Sequence, residues 1–184
     1  MLIRPAEPSD AMAVARVHVR SWQVAYRSLL PEEFLNQLRP EDRAERYDFT
    51  HQDQRKPYTI LAAEGEEIAG FATTMPSRDA DLPDHGELCG LYVHPERWNR
   101  GFGVALIAAA RLRLAQMGFR NALLWLLEGN TRAARFYQID GWVPDGLRRT
   151  DTMWGGLTVR EVRYSRELDP LDENAGAGRL TMDK

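Results

Sequence analysis

The chain has 184 residues, of which 43% are hydrophobic and 28% charged, and its formal net charge is −3. At roughly 150 residues per domain this length predicts one domain, and its slight acidity argues against a nucleic-acid partner, since general nucleic-acid binders need a basic surface. No apolar run approaches the about 20 residues of a membrane span and the first residues do not resemble a signal peptide, so we expect a cytoplasmic protein without a membrane partner.

The front half of the chain predicts a strand, two helices and a hairpin. The long helix follows from apolar residues that recur every three or four positions from Ala15 to Leu29, which places them on one helix face. Pro31 ends this stripe, and a polar segment of unclear structure, Pro40–Gln54, separates the helices from the hairpin. The other predicted elements of this half are a short strand, a short helix and two strands joined by a Gly-containing turn: Met1–Arg4, Glu32–Leu38, Tyr58–Ala63 and Ile68–Met75.

The second half alternates strands with helices. Its predicted elements are Glu87–Val93, Val104–Met117, Ala122–Leu127, Asn130–Ile139, and the strand material of Trp142–Val143 and Leu157–Leu168. A helix connects the first two of these strands, so they must form a parallel crossover. The order predicts an α/β (α+β) domain over residues 1–168, and the polar residues 169–184 form a tail.

A Gly-containing loop, Arg97–Gly103, leads from the first of these strands into the helix. The first amides of a helix have no internal partner, and glycine lets a phosphate approach them closely. Two nucleotide motifs fail here, because no Gly-Lys-Ser/Thr follows and the third Gly of a dinucleotide fingerprint would fall on Leu106. Two interpretations remain: a pyrophosphate-binding loop of another kind, or a plain turn into a helix.

Two motifs together resemble those of the Gcn5-related N-acetyltransferases, the GNAT family. The first is the apolar strand with Val93-His94-Pro95 and the loop that ends in Arg100-Gly101-Phe102-Gly103, which is similar to the family's acetyl-CoA motif. The second is Asn130-x-x-Ala133-x-x-x-Tyr137-x-x-x-Gly141-Trp142. The resemblance implies a GNAT fold, with a central mixed, mostly antiparallel sheet of six to seven strands and helices on both faces.

The resemblance also implies acetyl-CoA as acyl donor and a set of residues that contact it. Val93 is expected to hydrogen-bond the pantetheine arm, and the Leu91 amide to stabilise the oxyanion of the transition state. Trp98 and Asn99 depart from the family's usual Gln/Arg and Gly and are assigned through their backbone. The whole set is Leu91, Tyr92, Val93, Arg97, Trp98, Asn99, Arg100, Gly101, Phe102, Gly103, Val104, Asn130, Ala133 and Tyr137.

Two residues are predicted to be catalytic. An amine must lose a proton before it attacks a thioester, and Glu87 matches the position of the base glutamate in the family's histone acetyltransferases. His85, Asp84, Asp81 and Glu96 remain rival bases. Tyr137 matches the family's general acid, which protonates the leaving thiolate. The single cysteine, Cys89, is read as a buried small hydrophobe, and the four histidines show no ligand spacing, so we predict no metal.

The acceptor is an amine that the sequence does not identify. We expect a small molecule first and a protein N-terminus or lysine second, and the acidic loop residues Asp79, Asp81 and Asp84 hint at a cationic acceptor. A noncatalytic acyl-CoA-binding or regulatory module is the alternative of another class. Family relatives are often dimers, so we also predict a homodimer, and we expect the tail to lie either on its own domain or on the second copy.

Overall fold

A computed structural model describes residues 1–50 and 53–169. Its strands are β1 (Leu2–Pro5), β2 (Tyr58–Glu64), β3 (Glu67–Pro76), β4 (Gly86–Val93), β5 (Asn121–Leu127), β6 (Val143–Thr152) and β7 (Thr158–Glu167). Its helices are α1 (Ala11–Ala25), α2 (Glu32–Gln37), α3 (Pro40–Ala44), α4 (Phe102–Gln116) and α5 (Thr131–Ile139). None of these helices is both long and apolar enough to cross a membrane.

The seven strands form one sheet in the order β1-β2-β3-β4-β5-β7-β6. All neighbouring pairs are antiparallel except β4 and β5, which are parallel. The predicted fold class, the β2–β3 hairpin and the parallel crossover through α4 are therefore confirmed. The predicted tail lies outside the described residues apart from Asp169.

Three elements differ from the sequence-based expectation. β6 has ten residues, where only Trp142–Val143 was expected as strand, and it is an edge strand with almost every side chain exposed. The helix α3 occupies the start of the polar segment for which no structure was predicted. α4 begins at Phe102 rather than Val104, because Gly101, at φ 85°, already provides the left-handed turn before the helix.

The sheet is packed on both faces. α4 covers one face through Leu106, Ile107 and Leu114, all at most 1% exposed. α1 covers the other, where Val14 and Val17 pack on Leu61 and Phe71 of the central strands. A third apolar cluster joins α1 to α2, β5 and β7. Burying these side chains is the main favourable contribution to the fold, at about 25 cal/mol per Å² of apolar surface.

A β-bulge in β4 decides where Glu87 points. Thr73 of β3 pairs with Gly90 and Thr74 pairs with Leu88, so Cys89 is an extra residue without a partner. Side chains alternate along a strand, and the extra residue shifts that alternation. Leu88 therefore joins the face that packs on α4, and Glu87 joins the face of α1.

The parallel pair of β4 and β5 is short. Only Gly86–Ala122 and Glu87–Leu123 are paired, and the described strands make no further pairs beyond them. The His94 amide donates to the Ala69 carbonyl, so the backbone groups of Val93 and Leu91, which alternate with it, face away from β3. The backbone of β4 consequently lines a gap that widens towards the N-terminus of α4.

Candidate active site

A cavity of about 940 Å³ crosses this gap. One side is formed by the loop before α4 and by α5, and the other by α1, the segment after α3 and the β6–β7 hairpin. We call these the cofactor half and the acceptor half. The edge of β4 lies between them, so two molecules bound in the two halves would meet at Leu91 and Val93.

The N-terminus of α4 lies in the cofactor half. Gly101 precedes the helix and provides no side-chain cap, so the amides of Phe102, Gly103 and Val104 keep no helical acceptor. Gly101, Gly103 and Val104 line the cavity, whereas the Phe102 side chain is buried in the core at 2% exposure. The helix dipole adds a partial positive charge at this end. This arrangement can bind a pyrophosphate through backbone groups.

Trp98 ties this loop to β4. Its indole Nε1 donates to the Val93 carbonyl at 2.8 Å, and Ser21 Oγ donates to the same oxygen at 3.0 Å. Both lone pairs of this carbonyl oxygen therefore accept hydrogen bonds within the protein. The backbone group of Val93 that can still bind a ligand in the gap is its amide. The Arg132 guanidinium lies 3.3 Å from the centre of the Trp98 ring. Trp98 thus has a side-chain role beyond the backbone role expected for it.

The two arginines in the set expected to contact acetyl-CoA already have carboxylate partners. Arg97 pairs with both Glu64 and Glu67, and Arg100 donates to Glu64 at 3.1 Å. Arg97 and the exposed Asn99, at φ 60°, line the cavity, whereas Arg100 does not. A phosphate would compete with these carboxylates, so the backbone amides are the stronger candidates.

The second motif forms the start of α5. Asn130 is the N-cap, and its Oδ1 accepts from the Ala133 amide at 3.2 Å. Tyr137 lies further along the helix and is 7% exposed. Its hydroxyl has no hydrogen-bond partner among the described residues, and the residue lines the cavity together with Asn130 and Ala133. Burial, with a smaller contribution from Tyr92, raises the pKa of Tyr137 above its ordinary value of 10.0.

Glu87 is 2% exposed and lines the acceptor half. Arg78 binds its carboxylate through three groups: Nη2 donates to Oε1 at 2.5 Å, and Nε and the backbone amide donate to Oε2 at 3.1 and 3.2 Å. The Arg78 side chain is itself 57% exposed. An acceptor amine can therefore reach Glu87 only beside, or in place of, this guanidinium.

The rival bases do not share the cavity. Of the five candidates only Glu87 lines it; the others, all within the described chain, are His85, Asp84, Asp81 and Glu96. Sequence reasoning missed a further carboxylate of the lining, Glu161, which is bound by Arg149 at 2.8 Å. Glu161 belongs to the lining because the register of β7 places it opposite Leu127 and Arg149. Only a prediction of this register would have identified Glu161 from the sequence.

Two of the three carboxylates of the acidic loop are paired within the protein. Arg163, only 6% exposed, donates to Asp79 and Asp81 of the loop and to Asp145 of β6 at 2.6 to 2.9 Å. These two loop carboxylates therefore give the expected cationic acceptor no support, and that expectation stays a prediction. The loop instead anchors Arg78, which directly precedes Asp79, beside Glu87.

Several aromatic rings line the acceptor half. His18 stacks on Tyr92, with ring centres 4.4 Å apart, and contacts Trp22 edge-on at 4.9 Å. Tyr92 was grouped with the cofactor residues, but its ring lies on the α1 side of the sheet, and its backbone faces β3. The described residues hold no group of three or more His, Cys, Asp or Glu arranged as a metal site.

Comparison with known proteins gives the family. The model of the acetyltransferase (GNAT) family matches residues 22–142. The chain therefore belongs to the GNAT family, and its predicted class, an acetyl-CoA-dependent N-acetyltransferase, is confirmed.

The relatives have the same class. The uncharacterized N-acetyltransferase YuaI of Bacillus subtilis is 29% identical over 162 residues, which cover 87% of this chain and 89% of that protein. The probable N-acetyltransferase Rv2775 of Mycobacterium tuberculosis is 26% identical over 163 residues, which cover 88% of this chain and 91% of that protein.

Solved structures share the fold. The PaiA N-acetyltransferase of Thermoplasma acidophilum, in complex with coenzyme A, aligns with a TM-score of 0.68 and 18% identity, over 90% of this chain and 98% of that one. The ribosomal-protein-alanine N-acetyltransferase of Brucella melitensis aligns with a TM-score of 0.69 and 17% identity, over 91% of this chain and 100% of that one. At these identities the likeness concerns the fold alone.

Proposed function

We propose that this enzyme transfers the acetyl group of acetyl-CoA directly to the amine of a small molecule. The observation that carries the proposal is the shared cavity: the free amides of α4 open into one half, Glu87 lies in the other, and Tyr137 and the β4 edge lie between them. In this arrangement the pyrophosphate binds at Gly101–Val104. The acyl arm runs along β4 towards Leu91.

Each catalytic group then has one task. Glu87, directly or through water, takes the proton of the acceptor ammonium, so that the neutral amine attacks the thioester carbonyl. The Leu91 amide, which faces the gap, stabilises the oxyanion. Tyr137 gives its proton to the departing thiolate. Its raised pKa keeps the phenol protonated throughout the neutral and mildly alkaline range.

Direct transfer is supported by the state of Cys89. Cys89 was expected to be buried but is half-buried in the cavity lining. This partial burial, reinforced by the charge of Glu87, raises the pKa of its thiol to about 12. A thiol with this pKa carries almost no thiolate at neutral pH, and the thiolate is the nucleophilic form. An acyl-enzyme at Cys89 is therefore disfavoured, and both substrates must be bound together.

A small acceptor is favoured over a protein chain by the aromatic lining of the acceptor half. Rings from α1, from the segment after α3 and from the β6–β7 turn line it, among them Trp22, Tyr47 and Trp154. We keep the protein N-terminus as second candidate, since two of the structural neighbours are ribosomal-protein-alanine N-acetyltransferases. A cytoplasmic location, the domain limit at residue 168 and a homodimer remain predictions.

The test is thiol release from acetyl-CoA in the presence of a panel of small amines and of peptides with free N-termini. We expect release with small amines and a mass increase of one acetyl group on the amine. Stabilisation by acetyl-CoA without release on any amine would overturn the proposal and favour the noncatalytic binding module.

A further inference from the structure

One wall of the acceptor half contains a guanidinium that forms no ion pair with a carboxylate of the described residues. Arg43 of α3 donates from Nε to His18 Nδ1 at 3.0 Å, and the Tyr47 hydroxyl lies 2.8 Å from the same nitrogen. His18 in turn stacks on Tyr92, the residue between Leu91 and Val93. We call Arg43, His18 and Tyr47 the guanidinium wall. Through the His18 ring this wall contacts Tyr92, so it begins beside the place where the two bound molecules would meet.

The terminal nitrogens of Arg43 are available to a ligand. Within residues 1–50 and 53–169, Nη1 and Nη2 have no hydrogen-bond partner, and no carboxylate forms an ion pair with Arg43. The guanidinium carbon lies 4.8 Å from the centre of the Tyr47 ring and 5.4 Å from that of Trp154. These rings and the Nε bond hold the group in place, and Arg43 itself lines the cavity.

Five other charged groups of the acceptor half are paired among themselves: Glu87 with Arg78, and Arg149 with Glu161 and with Asp151. Arg43 has no such ion pair among the described residues, in contrast to the buried and fully paired Arg163. The remaining charged residues of the lining near the wall are Arg46, Lys56 and Asp48, so with Arg43 the positive charges there outnumber the negative one.

His18 supplies a second sign that the wall is built for a ligand. A guanidinium can only donate, so His18 Nδ1 must accept and the ring proton must be on Nε2. Burial, and the nearby charge of Arg43, hold the pKa of His18 well below its ordinary 6.5, so the ring is neutral. His18 lines the cavity, and its Nε2 is buried without a hydrogen-bond partner among the described residues. Buried donors normally have a hydrogen-bond partner, so a polar group bound beside His18 would supply the acceptor that Nε2 lacks.

We propose that the acceptor bears a carboxylate in addition to its amine, and that Arg43 binds this carboxylate through Nη1 and Nη2. The planar fork of a guanidinium matches a carboxylate with two parallel hydrogen bonds, and the two unit charges cancel. The inference rests on the proposed function and specifies it: the substrate is a small amine of the amino-acid type rather than a polyamine.

The experiment compares matched pairs of amines, each an amino acid and its decarboxylated or amidated counterpart, in the thiol-release assay. We expect the wild-type enzyme to prefer the carboxylate member by about 10- to 100-fold in kcat/KM, as for a charge-assisted hydrogen bond. Arg43→Gln should reduce this preference towards unity, mainly by raising KM for the carboxylate member. Arg43→Lys, which keeps the charge without the fork, should retain part of the preference.

Arg39→Gln is the matched control, since it removes an exposed guanidinium one helical turn earlier and outside the cavity lining. It should keep the full preference. A merely structural role of Arg43 would slow both members of a pair alike and leave their ratio unchanged, which would overturn the assignment. If the wild-type enzyme turns over both members equally well, this inference fails while the proposed function stands. If no amine of either kind is acetylated, both fail.

Discussion

Substitution of Gly103 tests the cofactor half most directly. A Cβ at Gly103 would lie 3.4 Å from the Phe136 ring and 3.9 Å from Val93 Cγ2. These are ordinary or nearly ordinary contacts, and the backbone there is not left-handed, so Gly103→Ala should fold like the wild type. Gly103→Glu places a longer, negatively charged side chain where the pyrophosphate would approach the amides of α4. The free protein should tolerate this charge, because an acid at a helix N-terminus is favourable.

The expected magnitude follows from linkage. A ligand that binds only the folded protein raises the free energy of unfolding by about 2.7 kcal/mol at a hundredfold excess over Kd. In a protein of this size one kcal/mol shifts Tm by about 2–4 °C. Acetyl-CoA should therefore raise the Tm of the wild type by about 5–11 °C.

Thermal unfolding with and without acetyl-CoA measures this shift. We expect Gly103→Ala to keep most of the shift and Gly103→Glu to lose it, while both show a nearly wild-type Tm without ligand. The reasoning is refuted if Gly103→Glu is stabilised by acetyl-CoA as strongly as the wild type, because the pyrophosphate site would then lie elsewhere.

Three further predictions concern the catalytic groups and the loop that supports them. Tyr137→Phe should lower kcat by about 10- to 100-fold with little change in acetyl-CoA affinity; because burial raises the pKa of Tyr137, the wild-type rate should not fall through phenol ionisation until above pH 10.0. A Phe variant that loses acetyl-CoA binding instead would make Tyr137 a cofactor contact. Glu87→Gln should lower kcat/KM by about 10²- to 10⁴-fold at neutral pH and recover partly as pH rises and the amine loses its proton unaided; a wild-type rate at every pH would remove Glu87 from the mechanism. Arg163→Ala should destabilise the protein by about 1.5–3 kcal/mol, or roughly 3–12 °C in Tm, since it removes the charge-assisted hydrogen bonds by which a nearly buried guanidinium joins β7 to Asp79, Asp81 and Asp145. Arg160→Ala, on the same strand but 77% exposed, is its control and should change Tm little.

The sequence predicted the parts of the fold that carry a local signal. The helix α4 and its glycines, the hairpin of β2 and β3, and the second motif around Tyr137 all have a recognisable periodicity or spacing. β6 does not, because an edge strand exposed on nearly all positions shows no alternation of apolar residues. Its Pro144 and the register shift between Pro144 and Arg148 weaken the pattern further.

The charged residues of the site were the least predictable. Arg78 and Glu87 are nine residues apart, and Asp79 meets Arg163 across 84 positions of sequence. The partners in these ion pairs are determined by strand register, which depends on the whole sheet and not on the local sequence. Arg43 was likewise not predicted as a site residue, because its partner His18 lies on another helix, 25 residues away in the sequence.

The narrow junction of β4 and β5 has a mechanical consequence. Among the described residues, two strand pairs join the β1–β4 part of the sheet to the β5–β7 part. A thioester arm lying along β4 would add contacts between these two parts and stiffen the sheet across this junction. Amide hydrogen exchange should report this stiffening: we expect acetyl-CoA to slow exchange at Leu91 and Val93, and also in β5, on the far side of the gap.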